Sequence, residues 1–177
     1  MEMKCRFSVI VPLYNKAPYV SKALESVCAQ TYRDFEIVVV NDGSTDGSEV
    51  LARQILNEKS NGIPYKIINQ PNAGAAAARN NGVAVSCGEY VAFLDADDWW
   101  CPEFLEEVNQ IVVDYPKAGM YATNYVYYKP GKTHVALNMP DGYMDYPKAY
   151  LQSSAMPIWT GATSMARRAF DDMGGFP

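Results

Sequence analysis

The chain has 177 residues, 49% of them hydrophobic and 20% charged, a composition that excludes a disordered polymer and is long enough for one domain with a sizeable core. With 15 Lys and Arg against 20 Asp and Glu, the net charge is −5, which argues against nucleic acid or anionic lipid as a partner. No run approaches the roughly 20 apolar residues needed to cross a bilayer. Ser8 and Pro12 interrupt the apolar stretch that a signal peptide would need, so the expectation is a soluble, cytoplasmic protein. Cys5, Cys28, Cys87 and Cys101 are scattered, with no pair at metal-ligand spacing, and read as thiols in a reducing compartment.

In chain order, Phe7 to Val11 reads as a first buried strand ended by Pro12, which cannot donate a ladder hydrogen bond. Pro18 suits the first turn of a helix running to about Gln30. Val20, Ala23, Leu24, Val27 and Cys28 form its apolar stripe. The β-branched run Phe35 to Val40 is a second buried strand. Asp46 and Glu49 then mark a helix start, with Val50, Leu51, Ile55 and Leu56 as its buried side. Pro64 to Asn69 is a third strand, and Asn72-Ala73-Gly74 opens an alanine-rich helix reaching to Gly82. Tyr90 to Leu94 is a fourth strand, apolar throughout and therefore buried on both faces.

Pro102 starts another helix, with Leu105, Val108 and Val112 on one face and Pro116 near its end. Tyr121 to Met139 looks like antiparallel strands around a Pro130-Gly131 turn. A short helix after Asp141, a loop around Trp159-Thr160-Gly161 and the segment from Met165 to Pro177 complete the chain. Strand alternating with helix over the first hundred residues predicts an α/β fold. It is expected as a three-layer α/β/α sandwich with a mostly parallel sheet and a smaller antiparallel portion. No internal repeat or linker divides the chain, so one domain over 1–177 is expected, with lobes of about 1–100 and 101–177.

The fourth strand delivers Asp95, Asp97 and Asp98 and then Trp99 and Trp100. Acids at a strand's carboxyl end face the ligand crevice of an open α/β sheet. Carboxylates this close repel one another unless a divalent cation or a hydroxyl network lies between them; a solvated helix-capping turn is the plain alternative. Pro12, Tyr14 and Asn15 follow the first strand, where a ring and an amide suit a flat base, or form an ordinary loop. Asp42 is suited to accept from an imide N–H, and Asn41-Asp42-Gly43 is equally turn chemistry. Arg79, in an otherwise uncharged helix, is expected to point toward a ligand or toward an acid such as Asp95; a plain ion pair at a helix surface is the alternative. Of the two indoles, at least one is expected in the core. His134 reads as a surface residue.

Four segments in fixed order resemble the N-terminal part of the family 2 glycosyltransferases, which are nucleotide-sugar-dependent enzymes of the type A glycosyltransferase fold. They are Phe7 to Asn15, Val38 to Asp46, Asn72-Ala73-Gly74 through Ala78-Arg79-Asn80, and Asp95-Ala96-Asp97-Asp98. Gly161 to Arg168 and Gly174-Gly175-Phe176 look like the family segment preceding an acceptor-side acidic motif. The resemblance implies inverting transfer of a sugar from a nucleotide-diphosphate donor, UDP by family habit, to a glycan or lipid-linked acceptor at the cytoplasmic face of a membrane. It implies a nucleotide-sugar site of Pro12, Tyr14, Asn15, Asp42, Arg79, Asp95 and Ala96, with Asp95 on the ribose. Mg²⁺ or Mn²⁺ falls to Asp97, with Asp98 as a second candidate ligand or a helix cap.

By the same resemblance the catalytic base lies beyond Pro177, so the chain is expected to be a fragment that binds donor but is deficient in transfer; Asp171 and Asp172 do not match the base. Two rivals remain. One is a scaffold domain of the same shape without catalysis. The other is a haloacid-dehalogenase-like phosphohydrolase, which also places an Asp-x-Asp after an apolar strand.

Overall fold

The computed structural model describes residues 5–129, 132–135, 142–143 and 159–177. Its centre is a six-stranded sheet of order β3-β2-β1-β4-β8-β5. β1 (Phe7–Leu13), β2 (Phe35–Asn41), β3 (Tyr65–Asn69) and β4 (Tyr90–Phe93) are the parallel part. β5 (Met120–Ala122) and β8 (Thr163–Ala166) complete it in antiparallel sense. A separate hairpin pairs β6 (Val126–Lys129) with β7 (Lys132–Val135), with Lys129 opposite Lys132. It flanks the predicted Pro130-Gly131 turn, which lies outside the described residues, as does the helix expected after Asp141.

Successive β1 side chains point to opposite faces, as strand geometry requires. Phe7, Val9, Val11 and Leu13 pack with α1 (Val20–Cys28), α2 (Ser48–Lys59) and α4 (Phe104–Asp114). Ile10, Val38, Val40 and Phe93 pack on the other face with Ala78 and Val83 of α3 (Ala75–Val85) and Phe170 of α5 (Arg167–Asp172). The result is the expected three-layer α/β/α sandwich.

Several sequence expectations are corrected in detail. β1 runs through Pro12 to Leu13. Ile10 O accepts from Leu94 N–H on the β4 side, whereas Leu13 O accepts from Asp42 N–H on the β2 side. Alternation turns Pro12 toward β4, whose pairing has already ended at Phe93, so its missing N–H forfeits no ladder bond. Val50 is 56% exposed; α2 buries Ser48, Ala52 and Leu56 at i, i+4 and i+8, and Val50 lies on the opposite side. Asp46 does not make a reciprocal capping box. Its carboxylate accepts from Ser48 N–H at 3.0 Å and Ala17 N–H at 2.9 Å, while Glu49 pairs with Arg53.

α3 does not stop at Gly82 but continues to Val85. A Cβ at Gly82 would come within 2.5 Å of Ile10 Cγ2 and 3.0 Å of Val40 Cγ2, so the glycine is the point where helix and sheet touch. β8, which the sequence pattern did not suggest, inserts between β4 and β5. At the amino-terminal edge of the sheet, buried Glu36 accepts from Ser8 Oγ at 2.8 Å and Cys87 N–H at 2.5 Å and pairs with Lys66 at 3.2 Å. Burial pushes this carboxyl up, but the hydrogen bonds prevail and hold it below its ordinary range.

Candidate functional site

The carboxyl ends of β1, β2 and β4 and the start of α3 enclose a crevice of about 370 Å³. Its position follows from the parallel sheet. β1 and β4 are neighbours whose outgoing crossovers lead to opposite sides, from β1 to β2 and from β4 to β5, which leaves a gap beyond their carboxyl ends. Pro12, Tyr14, Asp42, Arg79, Asp95, Ala96 and Asp97 all line it, so seven of the residues singled out from the sequence converge there. The structure adds Lys16 and Asn72, which the sequence reading did not select.

The three acids of the cluster have separate partners. Asp95 pairs with Nη2 of Arg79, whose side chain is only 13% exposed. Asp97 Oδ2 accepts from Lys16 Nζ at 2.6 Å, both side chains being substantially exposed. That carboxylate holds the Lys16 ammonium above its ordinary pKa. Asp98 is turned away from the crevice, with Oδ2 accepting from the Trp159 indole N–H at 2.7 Å. Burial pushes the Asp98 carboxyl up; the indole bond opposes this, and the neighbouring Asp95 and Asp97 charges add to it. Asp98 is therefore not brought to the position expected of a second metal ligand.

Asp42 is 2% exposed. Its carboxylate accepts from Gln70 Nε2 at 2.7 Å, Ala73 N–H at 2.8 Å and Gly74 N–H at 2.9 Å. It thereby ties the loop before α3 to the end of β2, and three of its roughly four acceptor positions are already used. Asn15 does not line the crevice. With φ of 50°, its amide oxygen accepts from Thr45 N–H at 2.8 Å, and its own N–H donates to Ser44 Oγ at 3.1 Å. The amide thus braces the β2–α2 loop. Tyr14, 48% exposed, presents its ring at the crevice mouth.

Trp100 is the core indole: it stacks on Phe104 at 4.1 Å and donates to Gly161 O at 2.6 Å. Trp99 is exposed, with Lys22 Nζ 3.1 Å from its ring centroid. The Gly174-Gly175-Phe176 segment docks on α3. Asn80 accepts from Phe176 N–H and donates to Phe176 O, each at 2.9 Å, and Arg79 lies 5.4 Å from the Phe176 ring centroid. Gly175 has φ of +81°, and a Cβ there would meet Asn80 Oδ1 at 2.7 Å. Only glycine fits that turn. Asp171 and Asp172, on α5, are exposed and do not line the crevice.

The crevice offers hard oxygen donors from Asp95 and Asp97 and no sulfur or imidazole, a set that suits Mg²⁺ or Mn²⁺. Asp97 is the exposed member and already has a cation, the Lys16 ammonium, against it. At the same edge Arg79 Nε is buried with no hydrogen-bond partner among the described residues.

The sequence matches the family described as Glycosyl transferase family 2 over residues 8–174. It is similar to glycosyltransferase GlyA of Streptococcus pneumoniae, 43% identical over 120 residues, which are 68% of this chain and 17% of GlyA. It is also similar to the Bacillus subtilis glycosyltransferase EpsH, 34% identical over 145 residues, 81% of this chain and 40% of EpsH. The chain therefore spans well under half the length of these relatives.

Among solved structures it resembles a mannosyltransferase of Pyrobaculum calidifontis in complex with GDP-Man and Mn²⁺. The TM-score is 0.74 at 24% identity, covering 99% of this chain and 48% of that one. Staphylococcus aureus TarS 1-349 in complex with UDP aligns with a TM-score of 0.72 at 22% identity, covering 97% and 50%. At these identities the likeness establishes the type A glycosyltransferase fold. The match over residues 8–174 sets aside the phosphohydrolase reading, and the chain belongs to glycosyl transferase family 2.

Proposed function

We propose that the crevice binds the nucleoside diphosphate of a sugar donor, with UDP the first candidate, and that the chain forms the donor half of an inverting, metal-dependent glycosyltransferase. The observation that carries this reading is the division of the acidic cluster: Asp95 is held by a largely buried guanidinium, while Asp97 stands exposed in the crevice against Lys16. The UDP and the GDP-Man with Mn²⁺ in structures of the same fold support the ligand class.

In this account Asp95, fixed by Arg79, accepts a ribose hydroxyl. The loop tied by Asp42 forms the wall beside the base, and Tyr14 supplies a face on which it stacks. Asp97 would hold Mg²⁺ or Mn²⁺, which when bound offsets charge on the departing diphosphate. Lys16, within hydrogen-bond reach of Asp97, supplies a second positive charge to the phosphate oxygens. Asp95 and Asp97 are committed to the donor and do not take the acceptor's proton.

About 1–100 is the donor lobe and 101–177 belongs to the acceptor side. The acceptor is a glycan or lipid-linked sugar at the cytoplasmic face of a membrane; among the described residues no helix is long and apolar enough to cross one. Calorimetry with UDP, with and without Mn²⁺, tests the reading. Mn²⁺-dependent binding that Asp97→Ala weakens by about tenfold or more is expected for loss of a charged contact. Absence of binding at millimolar UDP in either condition would favour a scaffold without a donor site.

A further inference from the structure

At the opposite edge of the sheet from the crevice, three side chains converge that the donor site does not use. Cys5 precedes β1, Glu36 lies near the start of β2, and Cys87 is in the turn between α3 and β4. The two Sγ atoms are 3.9 Å apart, and with a Glu36 oxygen the three ligand atoms all lie within 4.8 Å of one another. Zinc takes thiolates tetrahedrally at about 2.3 Å, which puts two of its sulfurs about 3.8 Å apart; a disulfide needs about 2.05 Å. The thiols thus already stand at the edge length of a tetrahedral metal site.

We propose that Cys5, Cys87 and Glu36 form a site for a thiophilic divalent cation of the zinc class, with a fourth position open to water. The cysteines are partly exposed, so an ion has access, whereas Glu36 is 3% exposed and oriented from behind. One of its oxygens is held by Ser8 Oγ and Cys87 N–H, and the other faces Lys66 Nζ at 3.2 Å. Such outer hydrogen bonds fix a ligand's direction. Two thiolates and a carboxylate carry three negative charges, which a divalent ion and the Lys66 ammonium balance. Binding releases the two thiol protons to solvent and changes no oxidation state. The ion would clip the start of β1 to β2 and to the α3–β4 turn, at the opposite end of the strands from the acids of the crevice.

The test is titration of the protein, kept reduced by a phosphine, with Cd²⁺ and with Co²⁺, read by thiolate-to-metal charge-transfer absorption. The oxygen-only crevice cannot produce such a band, and Asp97→Asn should leave it intact. One equivalent of Cd²⁺ is expected to give the band of two thiolates. Cys5→Ser and Cys87→Ser should each lose about tenfold or more in affinity, Glu36→Gln should weaken binding while keeping the band, and Cys28→Ser should match the wild type. If a serine variant does not fold, alkylation of the wild type decides: bound metal should protect Cys5 and Cys87 while exposed Cys101 reacts. A wild type with no thiolate band, or serine variants that bind as tightly as wild type, would overturn the proposal.

Discussion

Asp98 sits half-buried beside two other carboxylates, and burial raises its pKa above the unfolded value. Between those two values the native state holds more protons than the unfolded state, so stability falls as pH rises through that window and the penalty is complete above it. Asp98→Asn removes the charge yet keeps an oxygen for the Trp159 N–H. In chelator-containing buffer, urea denaturation should show the variant as stable as wild type or more so at neutral pH, with a flatter decline above the ordinary carboxylate range; lower stability with an unchanged slope would contradict this. Lys16 has a different consequence. Its pair with Asp97 is solvent-screened, so Lys16→Ala should change stability by less than about 1 kcal/mol, while calorimetry should show diphosphate affinity falling about tenfold. Asp95 and Asp97 were legible because they end an apolar strand. Lys16 was not, because its partner lies 81 residues away and a lone lysine in a loop carries no pattern.

Among the elements, α3 couples the crevice to the sheet: Arg79 faces Asp95 and, three residues on, Gly82 lies against Ile10. Alanine is a better helix former than glycine by about 1 kcal/mol. Yet a methyl at 2.5 Å from a β-branched side chain has nowhere to go, and overpacking typically costs about 1–3 kcal/mol. Gly82→Ala is therefore expected to destabilise the fold in denaturant melts, and Ile10→Ala in the same chain should recover part of the loss, a coupling that a double-mutant cycle reads directly. Additive effects would show that the contact is not tight. The same kind of contact explains where the sequence reading of elements succeeded and failed. β1, β2 and β4 are apolar runs alternating with helical segments, and their positions followed from those runs. β8 is Thr163-Ser164-Met165-Ala166, four residues buried without alternation; only its pairing with β4 and β5 makes it a strand. Val50 fits the spacing of an apolar helix face, but Ala52 and the small Ser48 take the contact instead.

For the whole molecule, the net charge of −5 excludes a broadly basic surface but not a local anion site. Lys16 and Arg79 are concentrated at one crevice, where they face Asp97 and Asp95, two of the acids that line it. The order of four sequence segments was enough to reach the family and the parallel half of the sheet. Distances decided the rest: Asn15 and Asp98 share those segments yet brace the protein itself. The central claim, that a nucleoside diphosphate and a divalent ion meet between Asp97 and Lys16, is tested most directly by a crystal structure grown with UDP and Mn²⁺. The account predicts an anomalous Mn²⁺ peak on the Asp97 carboxylate, a diphosphate beside it, and the ribose on Asp95. Uridine bound elsewhere, or a filled crevice whose ion does not touch Asp97, would contradict it.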